Sequence, residues 1–273
     1  MGGGEPPPGE SGADAAGLLF RRETFLDRLA EGPIEKPALV SDLDVSRSTV
    51  DRAIKELRIE GLVERRDDGF ALTHYGEVSF RCYRQFVRGV HTVRRSRESL
   101  QHLPPSIDLP PAFFRGGTIL SARDGDEHKP TAFLRDLLAD ADELWTVTES
   151  PHFELISLAH RRVVEEGMRF NLIHSPDTVE RLRIHYPDVL ESTLRSGYLD
   201  LYMSEDVPPF GLIKAIAERE TVVLVLYGQK GEAETVVITE TCTASTRFDE
   251  FFRKQRSKSS KIELDADGDL TIT

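Results

Sequence analysis

Residues 39–73 constrain the fold more than any other part of the chain, because they combine helix, turn and hairpin patterns in a short space. Ser46 is a good N-cap, since its hydroxyl can accept a hydrogen bond from the backbone N–H of Thr49. Apolar residues then recur at i, i+3, i+4 and i+7, as Val50, Ala53, Ile54 and Leu57. Gly61 stands where such a helix ends. The sequence predicts a short helix over about 35–43, a tight turn at Asp44-Val45 and a second helix to about residue 60.

Two short strands are predicted directly after this helix. Residues 62–66 and 70–73 are joined by Asp67-Asp68-Gly69, and an Asp-Gly pair between short strands is typical of a β-hairpin. Another helix is indicated from Leu18 to Gly32-Pro33. This order of two helices, a turn, a third helix and a hairpin predicts an N-terminal winged helix-turn-helix domain at residues 18–73. The expected partner of such a domain is double-stranded DNA.

The net charge of −12 argues against a nucleic-acid partner until its distribution is considered. Residues 18–102 carry a net charge of +2, residues 1–17 carry −3 and residues 103–273 carry −11. The acidity therefore lies mainly in the C-terminal part. This asymmetry is expected of a DNA-binding domain joined to an acidic partner domain.

The second helix of a helix-turn-helix lies in the major groove with its N-terminal residues on base edges. Arg47 and Arg52 can pair with guanine O6 and N7, and their neighbours suit base or phosphate oxygens. The hairpin arginines are expected to meet the DNA backbone or the minor groove. The alternative for each arginine is an ordinary solvated face. The predicted DNA-binding residues are Ser46, Arg47, Ser48, Thr49, Arg52, Lys55, Arg65 and Arg66.

Composition divides the rest of the chain. Residues 1–17 are rich in Gly, Pro and acidic groups and are predicted to be a disordered tail. Residues 74–103 lack proline and are predicted to form one long connecting helix, which either packs on its own domain or forms the seam of a homodimer. A proline-rich linker begins an α/β effector or regulatory domain at residues 104–255, and residues 256–273 are predicted to be a flexible tail. The apolar stripe of the long helix comprises Tyr75, Val78, Cys82, Phe86, Val90, Val93 and Leu100.

Helical and strand patterns alternate from about residue 131, which predicts an α/β domain with a mixed sheet that is parallel in part. Ligands of such sheets lie beyond the C-terminal ends of the strands, although polar residues there are also ordinary loop residues. The candidate residues for an unidentified small-molecule effector are Thr148, Glu149, Ser150, His174, Ser175, Ser204 and Tyr227. The sequence contains no GxGxxG, GxxxxGK[ST], GxSxG or HExxH motif, so we expect no enzymatic activity, cofactor or metal.

Cys82 and Cys242 form no metal-binding spacing and are expected to be buried thiols. Trp145 is expected in the core. The longest apolar run, residues 221–227, is far below the roughly 20 residues of a membrane span, and the N-terminus has no leader pattern. We therefore expect a cytoplasmic protein without membrane contact.

Taken together, residues 39–57, Gly61-Leu-Val-Glu64 and Leu144-Trp-Thr-Val-Thr148 resemble the archaeal winged-helix regulators that carry the effector domain of the methanogenesis regulatory protein FilR family. The resemblance covers about residues 18–255 in order. It implies a transcription factor whose C-terminal domain senses a signal or mediates assembly, with a fold related to phospholipase D-like sensor domains. The HxK motif with an Asp four residues later, which that hydrolytic chemistry needs, is absent from the sequence.

Two other functions remain open at this point. One is a hydrolase-like enzyme with an accessory winged helix, in which Glu149, His152, His174 and Glu205 would converge in one pocket. The other is an adaptor that binds RNA or protein. Outward-facing, unpaired arginines in residues 46–55 would favour DNA binding over the adaptor.

Overall fold

The computed structural model describes residues 12–149, 152–265 and 270–273. It divides the chain into two compact units, one reaching to Val87 and one from Arg88 to Thr273. We had expected the boundary in the linker at residues 104–111. The observed boundary lies earlier because Ser96 and Ser99 are buried, and Leu100, Leu103 and Ile107 pack on a core of the second unit.

Helices and one hairpin form the first unit. The helices are α1 (Gly12–Arg21), α2 (Glu23–Ala30), α3 (Lys36–Leu43) and α4 (Arg47–Ile59), and they precede strands β1 (Val63–Arg66) and β2 (Gly69–Leu72). The chain then enters α5 (His74–Arg95), which begins in the first unit and ends in the second. This order is the predicted winged helix-turn-helix, with α3 and α4 as its two motif helices.

Two local features explain the sharp turns of this unit. Asp44 ends α3 in the left-handed conformation with a φ of 49°, and its N–H reaches back to the carbonyl of Val40, so the chain reverses within three residues. Gly69 begins β2 with a φ of 138°, and a Cβ there would lie 2.6 Å from the backbone of Ile34. Only glycine suits this position, because Ile34 pairs with Phe70 in an antiparallel bridge.

The core of the first unit corrects the predicted disordered tail at residues 1–17. Residues 12–17 belong to α1, whose Leu18 and Leu19 are buried against the same core as Leu26 and Leu57. The prediction rested on the Gly, Pro and acidic composition of the whole segment, whereas Ala-rich residues just before an apolar pair extend its helix. Residues 1–11 lie outside the described residues.

The second unit is an α/β sandwich of helices around one large sheet. It continues with α6 (Arg97–Leu100), β3 (Thr118–Ser121), α7 (Lys129–Asp140), β4 (Glu143–Val147), α8 (Ile156–Val164), β5 (Arg169–His174), α9 (Pro176–His185) and α10 (Pro187–Arg195). It ends with β6 (Leu199–Met203), β7 (Gly211–Ile216), β8 (Glu220–Tyr227), β9 (Ala233–Thr239), α11 (Cys242–Arg256), β10 (Ser260–Leu264) and β11 (Leu270–Ile272).

Nine described strands pair in the order β11-β10-β6-β5-β4-β7-β8-β9-β3. The pairs β4–β5 and β5–β6 are parallel, with Leu144 opposite Phe170 and Leu172 opposite Leu201, and the remaining pairs are antiparallel. The mixed sheet that was predicted from the alternation of helices and strands is therefore confirmed.

The two faces of the sheet bury different clusters because side chains alternate along each strand. On one face Val147, Ile173 and Leu224 pack with Phe248 and Phe252 of α11. On the other, Leu144, Ile213 and Val223 pack with Leu134 and Leu138 of α7 and with α8. Trp145 lies partly buried on the α11 face, edge-on to Phe252 with ring centroids 4.9 Å apart.

Three further expectations differ from the structure. The predicted flexible tail at 256–273 instead contains β10 and β11, because Ser260–Ile262 pairs with Leu201–Met203 of β6 and buries Ile262. The predicted single helix over 74–103 is broken between Arg95 and Arg97. Both cysteines are exposed free thiols rather than buried ones.

Candidate nucleic-acid interface and effector pocket

The N-terminal end of α4 presents its polar side chains to solvent. Ser46 caps the helix, its hydroxyl accepting from the N–H of Thr49 at 3.2 Å, and it lies 2.9 Å from the hydroxyl of Ser48. The Ser46 hydroxyl is thus used within the helix, whereas Arg47 and Arg52 are exposed. The apolar stripe of α4 faces the core and turns the polar side of the helix outward.

The acidic side chains of α4 have ion-pair partners, whereas its exposed basic side chains have none in the described ranges. Lys36 binds Asp51 at 2.6 Å, and this hydrogen bond lowers the pKa of Asp51, while Arg22 binds Glu56 at 2.8 Å. Each acidic group is therefore neutralised by another element of the unit. Among the described residues, none forms an ion pair with the four exposed basic side chains of α4, although the charge of Arg47 also helps to lower the pKa of Asp51. These four are Arg47, Arg52, Lys55 and Arg58.

The hairpin arginines are placed differently from those of α4. Arg65 forms a two-pronged ion pair with Glu35, at 2.7 and 2.8 Å, and its guanidinium lies over the ring of Phe70. The hydrogen bond from Arg65 lowers the pKa of Glu35. Arg66 binds Glu64 at 2.8 Å. Both arginines remain exposed, but each already has a carboxylate partner, and the turn between the strands adds two aspartates.

Helix α5 exposes one apolar face. Phe86 is 67% exposed, Tyr75 52% and Val90 50%, with Val78 and Val93 also exposed. These residues recur every three or four positions, and Cys82 lies among them. Contiguous exposed apolar surface commonly marks a protein interface. This row of α5 side chains is therefore a candidate contact surface.

A cavity of about 160 Å³ lies within the second unit, between the sheet and helices α7 to α10. Side chains of alternate strand residues face it: Leu144, Thr146 and Thr148 from β4 and its end, Phe170, Leu172 and His174 from β5, and Leu199 and Leu201 from β6. The helices contribute mainly Leu, Ile, Val and Ala. The cavity therefore reaches the C-terminal edge of the parallel strands, where the sequence predicts a ligand.

The structure brings most of the predicted effector residues to this edge. The ring of His174 donates from Nδ1 to the carbonyl of Thr148 at 2.7 Å, and the hydroxyls of Thr148 and Tyr227 lie 2.5 Å apart. Thr148 and His174 line the cavity, whereas Tyr227 contacts Thr148 without lining the cavity. Burial lowers the pKa of His174 to about 4 and raises the pKa of Tyr227, so both side chains are uncharged at neutral pH.

The remaining predicted residues support this edge without lining the cavity. Ser175 caps α9, and the Glu149 carbonyl accepts from Thr178 at 2.7 Å. The backbone of buried Ser204 donates to the carbonyl of His174 at 2.9 Å. Ser150 lies outside the described residues.

Two of the polar lining residues that were not among the predicted effector residues carry unsatisfied polar atoms. The hydroxyl of Thr146 and Nε2 of His152 are buried and have no hydrogen-bond partner among the described residues. Burial lowers the pKa of His152, so its ring is also neutral. The alternation of β4 could have indicated Thr146, since the predicted strand places it beside Leu144 and Thr148 on one face. His152 follows no strand directly, and only its tertiary packing brings it here.

The residues considered for a hydrolase do not converge. His152 and His174 line the cavity, but Glu149 and Glu205 are exposed and do not. In the described ranges, no group of three or more His, Cys, Asp or Glu side chains could hold a metal ion. Within the same ranges, no helix is long and apolar enough to cross a membrane.

Comparison with family models gives two matches. Residues 12–95 match the HVO_A0261 N-terminal domain, and residues 128–258 match the middle domain of the methanogenesis regulatory protein FilR1. These matches confirm the resemblance to archaeal regulators with an N-terminal winged helix and a FilR-type C-terminal domain. The matched domains support a transcription regulator as the class of the protein.

Solved structures show only distant similarity. The archaeal chromatin protein TrmBL2 is 14% identical, with 91% of this chain and 99% of that chain covered and a TM-score of 0.41. NucT from Helicobacter pylori is 10% identical, with 52% and 96% covered and a TM-score of 0.38. An IclR-family transcriptional regulator from Rhodococcus sp. is 14% identical, with 94% and 96% covered and a TM-score of 0.21. No curated protein sequence matches the chain.

Proposed function

We propose that the protein is a sequence-specific regulator that contacts DNA bases through α4, dimerises through α5 and senses a signal through its C-terminal α/β domain. The observation that carries the proposal is the exposed basic face of α4. Arg47, Arg52 and Lys55 lack ion-pair partners in the described part of the chain, while the acidic groups of the same helix have them. Unpaired guanidinium groups at this end of a motif helix suit guanine edges and phosphates.

The roles within this DNA-binding set follow from the contacts of each side chain. Arg47 and Arg52 are assigned to base edges, and Ser48, Thr49 and Lys55 to base or phosphate oxygens. Ser46 acts mainly as the cap that fixes the start of the helix. Arg65 and Arg66 would have to give up or share their carboxylate partners on reaching DNA, so we expect a smaller contribution from the hairpin.

Dimerisation through the exposed apolar face of α5 completes the proposed mode of binding. A second copy of this chain is the partner that the face suits, because a two-fold pair of identical apolar rows buries both at once. Two copies of α4 would then contact two half-sites of an operator.

Enrichment of bound fragments from a random pool of duplex DNA tests the proposal, because the selection itself reveals the operator sequence. We expect the full-length protein to enrich one motif, with two related half-sites. The Arg52→Ala variant is expected to lose enrichment at defined positions of each half-site, because the bidentate contact to one base is gone. Arg58, exposed in the last turn of α4, supplies the matched control variant Arg58→Ala, which should enrich the unchanged motif. A pool that shows no motif after repeated selection contradicts sequence-specific binding.

A further inference from the structure

The cavity of the second unit carries an inference about the class of molecule that the protein senses. Its volume, about 160 Å³, is close to that of engineered apolar cavities of about 150 Å³ that stay dry and bind benzene. Leu, Ile, Val and Ala residues from the sheet and four helices form most of its wall. A sugar or another strongly hydrated molecule would lose its hydrogen bonds to water there without replacement.

Among the described residues, no Asp, Glu, Lys or Arg side chain lines the cavity. The titratable groups of the lining are the rings of His152, His160, His174 and Tyr186. Burial keeps His152 and His174 neutral, and His160 is hydrogen-bonded to Ser192 at 2.9 Å. A charged ligand would thus find no counter-charge and would have to be desolvated at high cost.

Two polar atoms of the lining are nevertheless unsatisfied. The Thr146 hydroxyl, on a residue only 6% exposed, and Nε2 of His152 lack partners in the described chain. A buried polar atom without a partner is costly, so such atoms in a cavity wall favour a ligand that brings the missing hydrogen bond.

We propose that this cavity binds an uncharged, mainly apolar small molecule, about the size of one substituted aromatic ring, whose single polar group hydrogen-bonds to Thr146 or His152. The inference deepens the signal-sensing role proposed for the C-terminal domain and rests on it for its regulatory meaning. Binding itself does not depend on DNA.

Calorimetric titration of the full-length protein with three probes of one shape tests this proposal. The probes are p-cresol, toluene, which lacks the hydroxyl, and 4-methylbenzoate, which carries a charge. We expect saturable binding of p-cresol, roughly two- to tenfold weaker binding of toluene for the loss of one hydrogen bond, and no binding of 4-methylbenzoate.

Four variants separate binding in the cavity from binding at other sites. Ala159 lines the cavity, so Ala159→Phe should abolish binding of both neutral probes, whereas Ala139→Phe, on the exposed side of α7, should leave it unchanged. Thr146→Val preserves the shape and should bring p-cresol to the affinity of toluene if Thr146 holds the hydroxyl. If it does not, His152→Phe should do so.

The outcomes distinguish this inference from the proposed DNA binding. Neutral probes that fail to bind, bind no better than 4-methylbenzoate, or still bind to Ala159→Phe overturn the ligand class or the site. Urea unfolding followed by the fluorescence of Trp145 reports whether the second unit of each variant is folded, and DNA selection on the same preparations tests the DNA-binding proposal independently. Binding of p-cresol without any DNA motif would leave the cavity assignment intact and remove its regulatory meaning.

Discussion

The hydroxyl of Thr146 is buried in an apolar wall and has no hydrogen-bond partner among the described residues. Its removal therefore measures how much an unsatisfied buried hydroxyl lowers the free energy of unfolding. Thr146→Val removes the hydroxyl at nearly constant shape and should raise the free energy of unfolding of the second unit by about 1 kcal/mol. Thr239→Val is the matched control, because the Thr239 hydroxyl donates to the carbonyl of Arg115 at 3.2 Å and its loss should cost about 1 kcal/mol.

Trp145 lies in the sheet of the second unit and is the only tryptophan, so its fluorescence during urea unfolding follows that unit. Opposite signs for the two variants are expected. Equal destabilisation by both would mean that Thr146 has a hydrogen-bond partner in the folded protein.

His174 should make the stability of the second unit depend on pH. Its pKa falls from an ordinary value of 6.5 to about 4 on folding, so between these values the unfolded chain binds the extra proton. Stability is complete above about pH 6.5 and decreases as the pH falls toward 4, by up to about 3 kcal/mol. His152 adds a decrease in the same direction.

The measurement compares unfolding at pH 7 and pH 5 for the wild type and His174→Asn, whose amide can still donate to the Thr148 carbonyl. The difference between the two pH values should be smaller in the variant. An unchanged difference would show that other groups carry the pH dependence.

Residue positions were predictable where a local pattern decides them. Ser46 caps α4 as expected, because a cap depends only on its own next three residues. Thr148 and His174 were found because strand ends are visible in the sequence. Thr146 was missed as a ligand-facing residue, and His152 was considered only for the hydrolase alternative, since only the packing of α7 to α10 over the sheet defines the cavity.

At the scale of elements, the exposed face of α5 leads to a prediction about its two-fold pairing. If a second copy covers this face, Cys82 becomes protected from a maleimide as protein concentration rises, while Cys242, outside the face, is labelled at a constant rate. Mass spectrometry of the two labelled peptides measures both rates in one sample. Equal rates for Cys82 at all concentrations would contradict dimerisation through α5.

Charge substitutions on α5 provide the variant test of the same prediction. Val90→Glu buries a carboxylate in the proposed seam and should give a monomer by light scattering, because an unpaired buried charge is strongly unfavourable. His91→Glu adds the same carboxylate to an exposed position on another side of the helix and should remain dimeric. Two monomeric variants, or two dimeric ones, would place the interface elsewhere.

Elements were predictable where their own sequence carries the pattern and were missed where distant pairing creates them. The Asp-Gly turn and the stripe of α4 predicted the hairpin and its preceding helix. Strands β3, β10 and β11 are short and partly polar, and they form because β9 and β6 offer free edges. Composition alone likewise predicted a disordered tail where α1 begins.

At the scale of the whole molecule, charge distribution matters more than net charge. The chain carries −12, of which residues 103–273 carry −11, and the acidic groups of α4 are paired internally. The acidic second unit should disfavour non-specific contact with DNA, so α4 must supply the affinity. DNA binding is therefore expected to depend on a few side chains.

The ratio of affinities for the selected site and for random DNA, measured by fluorescence anisotropy at several salt concentrations, tests the central claim most directly. Arg47→Ala should weaken binding to the selected site by about 1–3 kcal/mol and leave random DNA nearly unchanged, whereas Arg58→Ala should leave the ratio unaltered. Equal loss on both DNAs in Arg47→Ala would contradict base contact by α4.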